Sequence, residues 1–463
     1  MMNTLMLAVR NLLRNRRRSL TTLLTMVVGL TAILLFGGYR SNIMYGSLTG
    51  FVQHTGHLQI QRTGYFLDGS DTPTSYGIAG YRQIIDALEH DAGLAPMLTV
   101  VTPVLQLGGI AGNYAASVSR SVMAVGLEPA KHNQMMAWNE YGVVSYAQPL
   151  PLQGKSVDSV VVGTGVARKL KLCSLVDGAD CQQGDAPAAA ASSQLPDDIS
   201  TLSDMEAANK APQEANRIEM LAATSNGAPN VASLTVIKAN NMGIKALDDV
   251  YMAMNLAQAQ RLIYGSTEPQ VTAIQVQFRH TEQLEAGMAR VQAILKEKFG
   301  NQSLTVLDFK ELNPMFGQTN QFMDSMFGFI AMLIGVIVLF TIGNTMSTAV
   351  VERTVEIGTL RAMGVRRSGI RHLFLCEAAI LGVIGAILGA LCSLIIAFLI
   401  NRSGWTWTPP GYSYAYLILV RVGEDMPLLI GSMLSMVVVT TLSAWWPANR
   451  ASQLQIVDAL RHV

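Results

Sequence analysis

Apolar residues are distributed along this chain in two different patterns. Leu20–Tyr39, Met323–Thr341, Leu373–Ile400 and Pro427–Trp446 are long apolar runs with no charge near their middles. A bilayer core of about 30 Å needs about 20 apolar residues to be crossed by a helix, in which every backbone polar group is satisfied internally. The pattern therefore predicts transmembrane helices over 20–39, 323–348, 372–400 and 427–447. Between the first two, in residues 40–322, no run is long or apolar enough to span. Short alternating runs bounded by Gly, Pro, Asn and Asp read instead as strands: His57–Gln61, Leu98–Pro103, Ser121–Gly126, Ser159–Gly163, Leu234–Lys238 and Ala273–Phe278. Tyr81–His90 and Glu282–Lys298 repeat apolar residues at three and four spacing, as helices do. The expected fold is an α-helical membrane protein with four transmembrane helices plus an α+β domain of mixed sheet outside the membrane.

The arginines give this pattern a direction. Arg353, Arg361, Arg366, Arg367 and Arg371 crowd the loop 349–371, which the positive-inside rule places in the cytoplasm. Residues 1–19 carry Leu5, Val9, Leu12 and Leu13 on one helical face and five arginines elsewhere, as an interfacial helix on anionic lipid would. The run Leu20–Tyr39 is too long for a signal-peptide core and lacks a small-residue cleavage site, so it reads as a retained anchor. Both ends, including the tail 448–463, are then cytoplasmic, and residues 40–322 and the loop 401–426 lie outside. That loop holds Trp405, Trp407, Tyr412, Tyr414 and Tyr416, aromatics suited to a membrane interface. Residues 184–229, rich in Ala, Ser, Asp, Asn, Gln and Pro, read as a flexible insertion, although Ser203–Leu221 has the makings of one exposed helix.

Composition agrees with a membrane protein that has a large polar portion. Of 463 residues, 50% are hydrophobic and 14% charged, against about 25% charged in soluble domains. A net charge of +1, with the basic residues beside the spans, leaves no footprint for nucleic acid.

The most informative stretch is Asn344–Arg367, NTMSTAVVERTVEIGTLRAMGVRR, between the second and third runs. Val355, Leu360 and Met363 recur at helical spacing, with Glu352, Glu356 and Arg361 on other faces, so a short amphipathic helix outside the bilayer is expected. The motif N-x-M…ER-x-x-EIG-x-x-RA-x-G resembles the cytoplasmic loop of MacB/FtsX/LolCE-type ABC transporter permeases. DSVVVGTGVARKLKL and LTVIKANNMGIKALDDVYMAMNLAQAQRLI are similar to that family's outer domain, and WWPANRASQLQIVDALRHV to its terminal motif, with Asp458 where a proline is usual.

The resemblance implies a coupling helix that docks in a groove of a separate ATPase subunit, formed here by Glu352, Arg353, Glu356, Ile357, Gly358, Arg361, Ala362 and Gly364. It further implies pairing with a second permease copy or paralogue, residence in the cell inner (plasma) membrane, and a periplasmic adaptor or lipoprotein among the candidate partners. The implied work is to export or extract a lipoprotein, peptide or amphiphile. Two other readings stay open: an FtsX-like regulator of a cell-wall hydrolase, which typically has a smaller outer domain, and a membrane receptor or scaffold with no ATPase.

Sequence chemistry gives no catalytic centre, cofactor site or metal site to set beside this. Gly154-Lys155-Ser156 is the only fragment of a phosphate loop, and Pro149 stands five residues before it, where a glycine is required. ATP is therefore expected on the partner, not on this chain. His54 and His57 are two potential ligands without a third, and read as packing at a strand start. Glu377, one turn inside the third run, needs a cationic partner, and Arg371 and His372 are its neighbours in sequence. Cys173 and Cys181 are expected to form a disulfide if their domain faces an oxidising compartment.

Overall fold

The computed structural model describes residues 10, 16–69, 72–175 and 216–453. In chain order its main elements are α1 (Arg16–Thr55), β1 (Leu58–Arg62), α2 (Tyr81–Glu89), β2 (Leu98–Asn113), β3 (Val118–Leu127), α3 (Pro129–Met136), β4 (Ser159–Gly163) and α4 (Thr164–Lys169). After residue 216 come β5 (Arg217–Ala223), β6 (Pro229–Asn240), β7 (Tyr251–Asn255), α5 (Leu256–Tyr264), β8 (Ala273–Phe278), α6 (Leu284–Lys298) and β9 (Leu304–Asp308). The chain then continues through α7 (Pro314–Glu352), α8 (Thr354–Ala362), α9 (Arg367–Ser403), α10 (Met426–Ser443) and α11 (Trp445–Gln453). These elements form two compact units. One comprises Gly46–Phe316 with Thr408–Tyr416; the other comprises the chain up to Tyr45, Gly317–Trp407 and Leu417 onward.

The first unit is built on a nine-stranded sheet in the order β3-β7-β4-β6-β5-β2-β8-β1-β9, in which β3 also pairs with β2. That extra pairing closes β2, β3, β7, β4, β6 and β5 into a ring. β2 permits the closure because its 16 residues exceed any one partner: Leu98–Val104 pairs with β8, Val104–Asn113 with β3 and Ile110–Gly112 with β5. The sheet is mixed, with β3–β7 and β4–β6 parallel and the other pairs antiparallel. Period-two alternation turns Leu105, Leu107, Val122, Ala124, Val160, Val162, Met252 and Met254 into one core.

In this unit two expectations are corrected. The region 184–229 does not remain outside the fold up to Pro229, because Arg217–Ala223 is β5, paired with β2 and β6. Its alternation buries Ile218, Met220 and Ala222, and Arg217–Leu221 is accordingly strand, not helix. Tyr412, Tyr414 and Tyr416 are not a free interfacial set. Tyr414 stacks on Tyr146 at 5.2 Å, and Tyr416 meets the same ring at 4.7 Å. The Ser413 hydroxyl donates to Asp248 Oδ2 at 2.8 Å, while the Ser413 amide donates to the Gly243 carbonyl. Trp405 and Trp407 are exposed, as expected of interfacial aromatics. Cys181 and the side chain of Cys173 lie outside the described residues, as do most of residues 1–19.

The second unit is helical. Among the described residues four helices are long and apolar enough to cross a membrane, and in the most apolar window of the Pro314–Glu352 helix only 11% of residues are buried. The helices run past the apolar runs. α1 continues to Thr55, beyond the expected end at 39, and buries Leu48 and Val52 at helical spacing in the first unit's core. In the second unit's core, Met26, Leu30 and Leu34 of α1 pack with Val338 and Ile342 of α7 and with Ala378, Leu381 and Ala386 of α9. Gly385 and Gly389 let α9 approach α1: a Cβ at either would come within 3.0 Å of the Met26 or Leu30 side chain. Small residues at helix contacts permit such backbone approach, and Thr31 Oγ1 donates to the Gly389 carbonyl across it.

Candidate functional site

α8 occupies the expected loop and is nine residues long. A single non-helical residue, Arg353 (φ −104°, ψ 17°), separates it from α7. Its end follows from Gly364, which takes φ +93°, a left-handed conformation that glycine adopts without steric penalty. The Val365 amide donates to the Leu360 carbonyl and the Gly364 amide to the Arg361 carbonyl. This is the paired closure of a Schellman motif, with Val365 and Leu360 as its usual apolar pair.

Burial divides the eight residues expected to form one docking surface. Glu352, Glu356, Ala362 and Gly364 are exposed, whereas Ile357 and Gly358 are buried and Arg361 is half-buried. Ile357 belongs to the same core as Val350, Ile370, Phe374, Ala448 and Ala451, so the buried side of α8 is part of the helical core. The expected apolar face is split too. Leu360 packs against that core, while Val355 and Met363 are exposed at 47% and 69%, beside exposed Val351 and Val365.

The two cations of the motif face inward. Arg353 Nη1 lies 2.9 Å from Glu377 Oε1, with side-chain exposures of 9% and 3%. Glu377 is thus paired with Arg353, not with Arg371 or His372 as its sequence neighbourhood suggests. Arg371 instead sits over the Trp445 ring at 5.5 Å. Arg361 Nη1 donates to the Ser452 carbonyl at 3.2 Å, which fastens the other end of α8 to α11. Sequence reasoning missed Glu377 and Ser452 as supports of the short helix. A carboxylate inside an apolar run did signal that a cation must be found, but not which one.

The remaining sequence candidates have structural partners. His57 Nδ1 accepts the Phe278 amide at 3.1 Å, so its proton sits on Nε2, which faces Thr281 Oγ1 at 3.3 Å; that hydroxyl in turn donates to Glu140 at 2.9 Å. Burial pulls the His57 pKa down from 6.5 to about 4. The His54 ring bonds the Gly50 carbonyl instead of joining His57. Among the described residues no group of three or more His, Cys, Asp or Glu side chains is placed to hold a metal ion. At the glycine-lysine-serine fragment, the Lys155 amide is engaged by the Leu152 carbonyl within a turn.

The chain is similar to known permeases, and the family match falls in its C-terminal third. Residues 325–456 match the FtsX-like permease C-terminal family. An ABC transporter permease of Methanocaldococcus jannaschii is 25% identical over 46% of this chain and 51% of its own length. The ABC transporter permease YtrF of Bacillus subtilis is 32% identical over 29% of this chain and 30% of its own. The macrolide export ATP-binding/permease protein MacB of Chlorobium luteolum is 28% identical over 42% of this chain and 27% of its own. The chain thus spans about half the length, or less, of the curated relatives it matches.

Proposed function

As a member of the MacB/FtsX-type ABC transporter permeases, the chain has a place in a larger machine, and we propose that it is the non-catalytic membrane subunit of that machine. In this reading α1, α7, α9 and α10 cross the plasma membrane, the arginine-rich residues 353–371 lie in the cytoplasm, and the unit built on the nine-stranded sheet lies outside. Exposed Leu333, Ile337 and Phe340 on α7 support the membrane assignment, since water would penalise so much apolar surface while lipid would not. A separate ATPase subunit grips α8 on each of two paired permeases, and its ATP-driven closure moves the outer unit. α1 and α7 each contribute residues to both units, so the chain is covalently continuous along the proposed path. The cargo class is a lipoprotein, peptide or amphiphile that is exported or extracted.

The observation that supports this reading most is α8 itself. It is a short helix fixed by its own chain on one side and bearing exposed Val355 and Glu356 on the other, with exposed Val351 and Glu352 at the end of α7 and exposed Met363 just past its own end. A helix whose buried side is already satisfied presents its remaining apolar residues to a partner groove. Affinity capture of the full chain from membranes in mild detergent, followed by mass spectrometry, tests the proposal. An ABC ATPase subunit in roughly stoichiometric amount is expected; its absence across detergents, with a cell-wall hydrolase or no partner in its place, contradicts it.

A further inference from the structure

Docking on α8 does not explain why a charged pair is buried behind it. Removing two charges from water is expensive, and well-packed apolar residues of similar volume often hold helices together as well or better. An ion pair supplies geometry that packing lacks, because arginine's planar guanidinium favours a defined approach to carboxylate, whereas apolar surfaces slide. The position of the pair is specific. Arg353 is the one residue of the break between α7 and α8, and Glu377 lies in the first third of α9. A one-residue break has little intrinsic resistance to bending. Among the described residues three features resist it: Arg353 paired to Glu377 at the start of α8, buried Ile357 in its middle, and Arg361 bonded to the Ser452 carbonyl near its end.

We propose that the Arg353–Glu377 pair is a directional lock: it fixes α8 against α9, so that a displacement imposed on α8 is passed into the third long helix instead of being absorbed by bending at Arg353. Both are positioning residues, buried away from the exposed face of α8. The proposal deepens the permease reading and rests on it for what displaces α8, while the lock itself is a property of this chain alone.

The experiment uses the full chain with its copurifying ATPase in nanodiscs. Native cysteines are replaced by serine, and spin labels are placed at Met363→Cys, on the exposed end of α8, and at Ser403→Cys, at the far end of α9. With the native pair, one narrow distance distribution is expected. Arg353→Gln and Glu377→Gln should broaden it. They should also lower transport-linked ATP turnover by about tenfold or more while ATPase copurification stays within about twofold, because the docking face is untouched. The exchange Arg353→Glu with Glu377→Arg should narrow the distribution again and recover much of the turnover. An apolar pair, Arg353→Met with Glu377→Met, should reach the membrane normally and remain uncoupled. The lock is overturned if membrane-inserted Glu377→Gln keeps the narrow distribution and native turnover, or if a well-expressed exchange variant does no better than the single variants. Should the exchange fail to accumulate, Arg353→Lys decides: it keeps the charge and loses the planar fork, and an unbroadened distribution contradicts the proposal. If no ATPase copurifies with the unmutated chain, the permease reading fails, while the distances still decide the lock.

Discussion

His57 shows how one buried ring makes a fold sensitive to acid. Its Nδ1 accepts the Phe278 amide, so a second proton would set two donors against each other, while Trp138 and Phe278 enclose the ring at 5.0 and 5.6 Å. The native pKa of about 4 lies below the unfolded 6.5, and burial lowers His132 to about 4 as well. The unfolded chain therefore binds more protons between those values. The stabilisation is complete above pH 6.5 and is lost as pH falls toward 4, on the order of 3 kcal/mol for each ring at most. Denaturant unfolding followed by tryptophan fluorescence should show stability falling over that window, with a shallower fall in His57→Gln as His132 remains; equal slopes would contradict the assignment. His57 as a structural residue was legible in the sequence because it opens a strand and no further ligand stands nearby. The partner of Glu377 was not. Arg353 precedes it by 24 residues, across α8 and the turn of a helical hairpin, and Arg371 and His372 were nearer in sequence only. For the same reason Arg361 read as part of the docking surface, although its guanidinium reaches the Ser452 carbonyl.

Long apolar runs and most alternating runs were legible in the spacing, whereas β7, β9 and the segment judged by its average composition were not. The four long helices and the strands around β1, β2, β3, β4, β6 and β8 were all visible in apolar spacing. β5 was hidden because RIEMLAA adjoins a long polar stretch whose composition dominates any average over 184–229, although Ile218, Met220 and Ala222 alternate inward. β5 also joins β2 to β6 and so completes the ring. Replacing residues 184–229 with a short linker should therefore abolish a protease-resistant sheet unit, whereas a replacement ending before Asn216 retains every described strand and should preserve it. Equal resistance of the two would contradict the ring's dependence on β5. The end of α8 makes a smaller claim. At Gly364 a side chain is forced into a left-handed conformation, which costs about 1–2 kcal/mol. Gly364→Ala should speed amide hydrogen exchange over residues 360–365, with Gly364→Asn milder because asparagine tolerates that conformation; unchanged exchange in the alanine variant would contradict the motif.

The whole molecule comprises an apolar helical unit with a short helix at its arginine-rich end, and a sheet unit with a closed strand ring. The four long helices were legible because apolar length is a property of the sequence itself. The exposed side of α8 was only half legible, because which side of a nine-residue helix is buried depends on helices elsewhere in the chain. Ile357 is taken by the core, which leaves Val355 and Met363 outward. Those two residues carry the central claim, that α8 is where an ATPase holds this chain. Capture of the ATPase by full-length Val355→Asp/Met363→Asp, normalised to permease in the membrane, tests it most directly. Buried wrong-polarity groups at an interface cost several kcal/mol, so binding should fall by more than about tenfold, with membrane level and sheet-unit protease resistance unchanged. ATPase capture equal to that of the unmutated chain would contradict the account.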